Sequence, residues 1–198
     1  MPRKARIVIA GMPHHIVQRG NNRQDVFFVD ADREAYLSIL KEQSEKYGLD
    51  VLGWCLMTNH VHLVARPQSE DSLALAVSRT DYIYTQTINR LHGRSGHLWQ
   101  NRFFSCPLGR EHFWRALRYV EQNPVRAKMV RWPWDYRWSS ATAHLTNSDP
   151  AGLLDIGFWQ QISARIDWRA KLQSRLDIEQ IEQIRLSTHT GRPLASDS

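Results

Sequence analysis

The spacing of apolar residues changes along the chain, and each change marks an element. Ile7-Val8-Ile9 and then His14-His15-Ile16-Val17-Gln18-Arg19-Gly20 read as a first strand region broken by Gly11 and Pro13, with Gly20-Asn21-Asn22 as a loop. Asp30 can cap a helix with Glu34 in its first turn, and Tyr36, Leu37, Leu40 and Tyr47 keep helical spacing until Gly48 stops it. Leu49 to Cys55 then reads as a strand and His60-Val61-His62 as the next, close enough for a hairpin. Asp71 opens a second helix, in which Leu73, Ala76, Val77, Thr80, Tyr84, Thr87, Ile88 and Leu91 recur at three and four residues before Gly93. Trp99 to Leu108 contains a further strand. The order β-α-β-β-α-β predicts an α+β, ferredoxin-like antiparallel sheet with helices on one face.

A third helix is predicted from Glu111 to Gln122, closed by Asn123-Pro124 because a residue before proline leaves the helical region. At about 100° per residue, Phe113, Ala116, Leu117 and Val120 form an apolar stripe, and His112, Tyr119 and Asn123 form a second one beside it. Tyr119 and Asn123 therefore sit at the edge of the buried face, where a helix on a sheet can look into a cleft; plain core is the alternative for Tyr119. Beyond Pro124, Arg126, Lys128 and Arg131 precede Trp132-Pro133-Trp134-Asp135-Tyr136-Arg137-Trp138-Ser139-Ser140. Such interleaving can stack unpaired bases and neutralise phosphates, but tryptophans this dense more commonly lock a tail onto a domain surface. After a loop near Asn147-Ser148-Asp149-Pro150, a helical segment from about Asp167 to Leu186 carries mixed charge and a broken apolar stripe. It is expected to fold back near the groove beside Tyr119.

Composition narrows the partners. The 198 residues can bury one proper core, with a C-terminal piece appended. Against 20 Asp plus Glu stand 26 Lys plus Arg, giving a formal +6, which favours polyanions and nucleic acid first. Cys55 and Cys106 are far apart without Cys-x-x-Cys spacing, so neither a disulfide framework nor a cysteine zinc knuckle is indicated. The basic arm Met1-Pro2-Arg3-Lys4-Ala5-Arg6 leads into only a short apolar run, and no apolar stretch reaches membrane-spanning length, so a cytoplasmic protein without membrane partners is expected.

The chemistry concentrates in Met57-Thr58-Asn59-His60-Val61-His62-Leu63-Val64. In a strand, His60 and His62 share one face while Val61 and Leu63 point to the other and can be buried. Paired imidazoles at that spacing can be half of a metal site; two half-buried histidines bonded to backbone are the alternative.

His60-Val61-His62, the later Tyr119-Val120-Glu121-Gln122-Asn123-Pro124 and Trp138-Ser139-Ser140 together resemble the HUH-type single-tyrosine transposases, and within them the REP-associated tyrosine transposases. The likeness runs from about Met12 to Ser140 through His15-Ile16-Val17-Gln18-Arg19-Gly20, Asp32-Arg33, Gly96-His97-Leu98-Trp99-Gln100-Asn101-Arg102 and Tyr119 to Ala127. It implies a catalytic domain over residues 1–140 and a helical appendage over 141–198. It also implies a metal site of His60, His62 and Asn123 for Mg²⁺ or Mn²⁺, with Tyr119 as nucleophile. The implied activity is cleavage and rejoining of single-stranded DNA at the foot of repetitive extragenic palindromic (REP) hairpins through a 5′-phosphotyrosine, by a monomer or homodimer.

Arg19, Arg102 and Arg126 are the candidates for phosphate contacts, with a solvated role as the alternative. His14, His15, His92, His97 and His112 match no ligand position and are expected to pack or face solvent. The chain ends at Gly191-Arg192-Pro193-Leu194-Ala195-Ser196-Asp197-Ser198 where some relatives continue, so a shortened C-terminus is expected. Two other readings compete: a hairpin-binding protein with a degenerate or regulatory active site, and a zinc hydrolase. The last lacks His-Glu-x-x-His and cysteine ligands.

Overall fold

A computed structural model of the chain describes residues 6–194. The basic arm up to Ala5 and the final residues 195–198 lie outside the described residues. Four strands, β1 (His14–Arg19), β2 (Leu49–Met57), β3 (His60–Pro67) and β4 (Phe104–Pro107), form an antiparallel sheet in the order β2-β3-β1-β4. Helix α1 (Asp30–Tyr47) joins β1 to β2 and α2 (Ser72–Leu91) joins β3 to β4. This is the β-α-β-β-α-β ferredoxin-like core that the periodicity predicts.

Alternation divides the sheet into two faces. Ile16, Val61, Leu63, Trp54 and Leu56 belong to the face under α1 and α2, whose Tyr36, Leu40, Tyr84 and Ile88 are buried with them. Tyr36 and Tyr84 meet edge to face at 5.1 Å, and the Tyr84 hydroxyl donates to the Val26 carbonyl at 2.7 Å, so its one polar atom is satisfied. The Asp32 carboxylate accepts from the Phe28 and Val29 amides and closes the start of α1. The cap is thus Asp32 reaching back, and Asp30 is already the first residue of the helix.

The opposite face carries α3 (Arg110–Glu121), α4 (Asn123–Arg126) and the C-terminal segments. A Cβ at Gly53 in β2 would collide with the Leu117 side chain, so glycine is what lets α3 lie this close to the sheet. Asn123-Pro124 does not end the helical path: after a kink at Gln122 it continues as α4, with Asn123 and Pro124 as its first two residues. Proline at the start of a turn loses no hydrogen bond, because that N–H has no partner in the helix.

The tryptophan-rich stretch locks down. The Leu56 amide donates to the Trp138 carbonyl at 2.9 Å, Ser140 N to Trp54 O at 2.9 Å, and the Tyr136 hydroxyl to Leu56 O at 2.8 Å. Residues 136–140 thereby cover the free edge of β2. Trp132 and Trp134 stack on each other with ring centroids 5.3 Å apart. Beyond them come α5 (Ala141–Thr146), α6 (Ile156–Ser163), α7 (Trp168–Gln173) and α8 (Ile178–Thr190). Buried Glu121 fastens three elements: its carboxylate accepts from Ser140 Oγ at 2.5 Å and from Trp168 Nε1 at 2.9 Å, and pairs with His144 Nδ1 at 2.5 Å.

The predicted helix over Asp167–Leu186 is two helices. Asp167 caps α7 by accepting from Ala170 N, and the chain leaves helical geometry at Ser174 before α8 starts again after Asp177. Ile7-Val8-Ile9 is no strand; Met12 N bonds Ile9 O and Gly11 N bonds Pro67 O, so the segment turns before β1. The strand within Trp99–Leu108 is short, and only Phe104–Pro107 pairs continuously with β1.

Candidate active site

β3 places His60 and His62 on the face opposite α1 and α2, and β1 lies beside it in a register that sets Val17 opposite His62 and Arg19 opposite His60. His15 is then the diagonal neighbour of His62. Above this floor, Tyr119 of α3 and Asn123 and Arg126 of α4 follow one another at four and three residues on one helical face. α8 forms the other wall with Arg185, Thr188 and His189. All of these but Arg126 line a cavity of about 450 Å³ with Gln100 and Phe104.

The geometry within it is tight. The His60 and His62 rings meet edge to face at 4.9 Å, and the Tyr119 ring lies 5.7 Å from His62 and 5.6 Å from His15. Asn59 donates its amide nitrogen to the Arg23 carbonyl, so its Oδ1 accepts from His60 Nδ1 at 2.6 Å. His60 Nε2 therefore keeps its lone pair. The facing nitrogens of His15 and His62 are 3.1 Å apart.

Burial, with Arg19 and Arg126 nearby, pushes His60 down to about 4. Burial and Arg126 push His15 down to about 3, and burial with the neighbouring imidazoles and arginines lowers His62 well below its ordinary value. All three imidazoles are neutral at pH 7, the form that binds a cation.

Tyr119 is buried but for 5% of its surface. Arg185 Nε donates to its hydroxyl at 3.4 Å, and the Arg126 guanidinium lies over its ring at 4.0 Å while donating to its carbonyl at 2.7 Å. Arg126 Nε and Nη1 are buried without an acceptor, and burial lowers its pKa.

The residues fit a divalent cation. Asn123 Nδ2 is buried and unpartnered; turning the amide by half a turn puts Oδ1 there instead, an assignment that the hydrogen-bond network leaves free. Among the described residues no three His, Cys, Asp or Glu side chains gather in a metal-binding arrangement. A cation would thus rest on His60, His62 and the Asn123 amide, with substrate oxygens filling the rest, as suits Mg²⁺ or Mn²⁺ better than a closed zinc site.

The structure brings Tyr119, His60, His62, Asn123, Arg19 and Arg126 together. Arg102 is elsewhere, in an adjoining groove of about 390 Å³ with Arg6 and Asn101, which shares Phe104, Thr188 and His189 with the first. Sequence reasoning missed His15, Arg185, Thr188 and His189. For His15 the strand alternation His15-x-Val17-x-Arg19 was a usable signal; the α8 residues had none.

The fold and this site define an IS200-like transposase: the family described as "Transposase IS200 like" matches residues 9–123, more than half of the chain, and the chain belongs to it. Among particular relatives, it is 25% identical over 130 residues to the "Putative REP-associated tyrosine transposase" of Haemophilus influenzae, covering 57% of this chain and 68% of that protein. It also shares its fold, with a TM-score of 0.64 and 16% identity over 79% of this chain and 90% of the other, with a REP-associated tyrosine transposase solved bound to a REP hairpin.

Proposed function

We propose that the protein is a metal-dependent nicking and joining enzyme for single-stranded DNA at REP-type hairpins, with Tyr119 as nucleophile. The observation that carries this reading is the convergence of the Tyr119 ring, both imidazoles and the Asn123 amide on one cavity. The Tyr119 oxygen attacks the scissile phosphorus, the bond from phosphorus to the 3′ oxygen breaks, and the leaving oxygen takes up a proton as a free 3′-hydroxyl. The phenolic proton passes to solvent. Arg185 holds the phenol oxygen in line, Arg126 packs the Tyr119 ring from behind, and Arg19, which lines the cavity, donates to the phosphate oxygens. His60, His62 and Asn123 would hold Mg²⁺ or Mn²⁺, which would supply charge neutralisation at the phosphate. A 3′-hydroxyl attacking the phosphotyrosine loses its proton, restores the phosphodiester and expels the tyrosine oxygen, which takes up a proton as the free phenol, with no nucleoside triphosphate consumed.

The relatives that are similar include one bound to a REP hairpin, which supports the substrate class. The excess of basic residues, with Arg19 in the cavity and Arg6 and Arg102 in the adjoining groove, offers a path for the strand. The test is covalent trapping on hairpins with a labelled single-stranded flank in Mn²⁺. A protein adduct carrying the label on the 3′ side of the nick is expected, and none in EDTA. Absence of any adduct on flanked hairpins, with binding intact, would favour the regulatory hairpin-binding reading. Binding should also prefer flanked hairpin to blunt duplex and weaken steeply with salt.

A further inference from the structure

Four groups beneath the cavity form a single line of hydrogen bonds. The Thr188 hydroxyl in α8 donates to the Ile184 carbonyl one turn earlier at 2.7 Å. Its one proton is thereby used, so its oxygen can only accept from His15 Nδ1, 2.7 Å away. The Cys106 thiol, 3.5 Å from the same oxygen, can donate to the remaining lone pair. With its proton on Nδ1, His15 has a bare Nε2, and this faces His62 Nδ1 at 3.1 Å. The two rings are parallel within 2° and their centroids are 5.3 Å apart, so with the nitrogens this close they meet edge to edge in nearly one plane. That is the geometry of an in-line N–H···N bond.

We propose that Thr188 and His15 are positioning residues that fix the polarity of this line, holding the His62 proton on Nδ1 and leaving the Nε2 lone pair free for the cavity. The inference rests on the reading of His62 as a cation ligand. It gives His62 the arrangement that Asn59 gives His60, where a carboxamide oxygen takes the Nδ1 proton. Metal-binding histidines generally donate their second ring nitrogen to an acceptor of this sort, which sets both tautomer and ring orientation. The reverse polarity has a definite consequence: a Thr188 proton on His15 Nδ1 would send the His15 proton to His62 and leave His62 protonated at Nε2, unable to bind a cation. Because Thr188 belongs to α8, the docked C-terminal helix becomes part of the support of the site as well as a cover over Tyr119.

The test begins with the metal-free full-length protein labelled with ¹⁵N-histidine, in which long-range proton–nitrogen NMR correlations assign each tautomer. His62 and His15 are both expected to be protonated at Nδ1; a His62 protonated at Nε2 overturns the proposal. Thr188→Val removes the terminal acceptor at nearly constant volume and should mix the His62 tautomers and weaken Mn²⁺ binding by about threefold to tenfold. His15→Phe should weaken it by about tenfold or more, while His15→Gln, whose amide oxygen can still accept from His62, should recover most of the loss. A folded Thr188→Val protein with unchanged tautomer and unchanged Mn²⁺ affinity also overturns it. Should His60→Ala leave Mn²⁺ binding untouched, the cation-site reading fails; the tautomer measurement, made without metal, still decides the hydrogen-bond line.

Discussion

The two faces of the sheet are built from alternate residues of the same strands, yet they do opposite things. On β3, Val61 and Leu63 sink into the α1 and α2 side, each about 1% exposed, beside Ile16 of β1. Their neighbours His60 and His62 point the other way, into a cavity lined by imidazoles, arginines and an amide. The first face is mostly apolar, with Tyr84 donating to Val26 and Tyr36 Oη, Trp54 Nε1 and Asp81 Oδ1 left unpartnered among its aromatic and aliphatic side chains. The second leaves Asn123 Nδ2 and two Arg126 nitrogens buried and unpartnered. Orphaned polar atoms cost stability, and of these the Asn123 amide lines the cavity, where a cation would satisfy it. One face holds the fold and the other stores binding capacity.

Adjacent substitutions break this comparison most sharply. His62→Ala should cut adduct formation by about a hundredfold or more, because it removes a proposed cation ligand and such a loss exceeds that of an outer partner; the fold should survive, as circular dichroism and thermal melts would show. Leu63→Ala, one residue on, should instead cost roughly 2–5 kcal/mol of stability by denaturant unfolding, because it opens a cavity beneath α1 and α2. Equal stability losses at both positions would erase the distinction between the faces. Asn123→Ala should have a smaller effect than His62→Ala, lowering cleavage in a manner that raised Mn²⁺ partly restores.

The smallest expected effect lies on the packed face. Asp81 of α2 accepts from Gln18 Nε2 at 2.8 Å, and its other oxygen is buried without a partner. Burial raises its pKa from the ordinary 3.8 to about 8, against the opposing pull of Gln18 and Arg6. The folded chain thus holds a proton that the unfolded chain has released, so this group's contribution to stability falls as pH rises from about 4 to about 8. Asp81→Asn should flatten that slope and leave the variant more stable than the parent at pH 8, by a few degrees in Tm. Identical melting curves from pH 5 to pH 8 in the two proteins would contradict it.

Much of the architecture was legible because it is local. Period-two alternation set His60 and His62 on one face, and the spacing of four set Tyr119 beside Asn123. What the sequence hid depends on distant pairing. His15 reads as one more buried histidine until the β1 and β3 register makes it the diagonal neighbour of His62. Arg185 lies 66 residues from the Tyr119 hydroxyl it touches, and α8 carries no stripe strong enough to announce which face docks. The helical path through Asn123-Pro124 is hidden for a different reason: proline ends a helix that precedes it but can begin the next turn, and this is what brings Arg126 over the Tyr119 ring.

The central claim is that Tyr119 is the proposed nucleophile of the second face, and one substitution tests it most directly. Tyr119→Phe deletes the hydroxyl and keeps the ring that packs against His15, His62 and Arg126. Adduct yield and hairpin affinity would be measured side by side on the same flanked hairpin. The account predicts that the covalent adduct disappears while affinity stays within about twofold, a difference under 0.5 kcal/mol. A Tyr119→Phe protein that still forms a full-yield, protease-sensitive adduct would place the nucleophile elsewhere, with Tyr82, Tyr84 and Tyr136 next to be examined, and would contradict the assignment of this cavity.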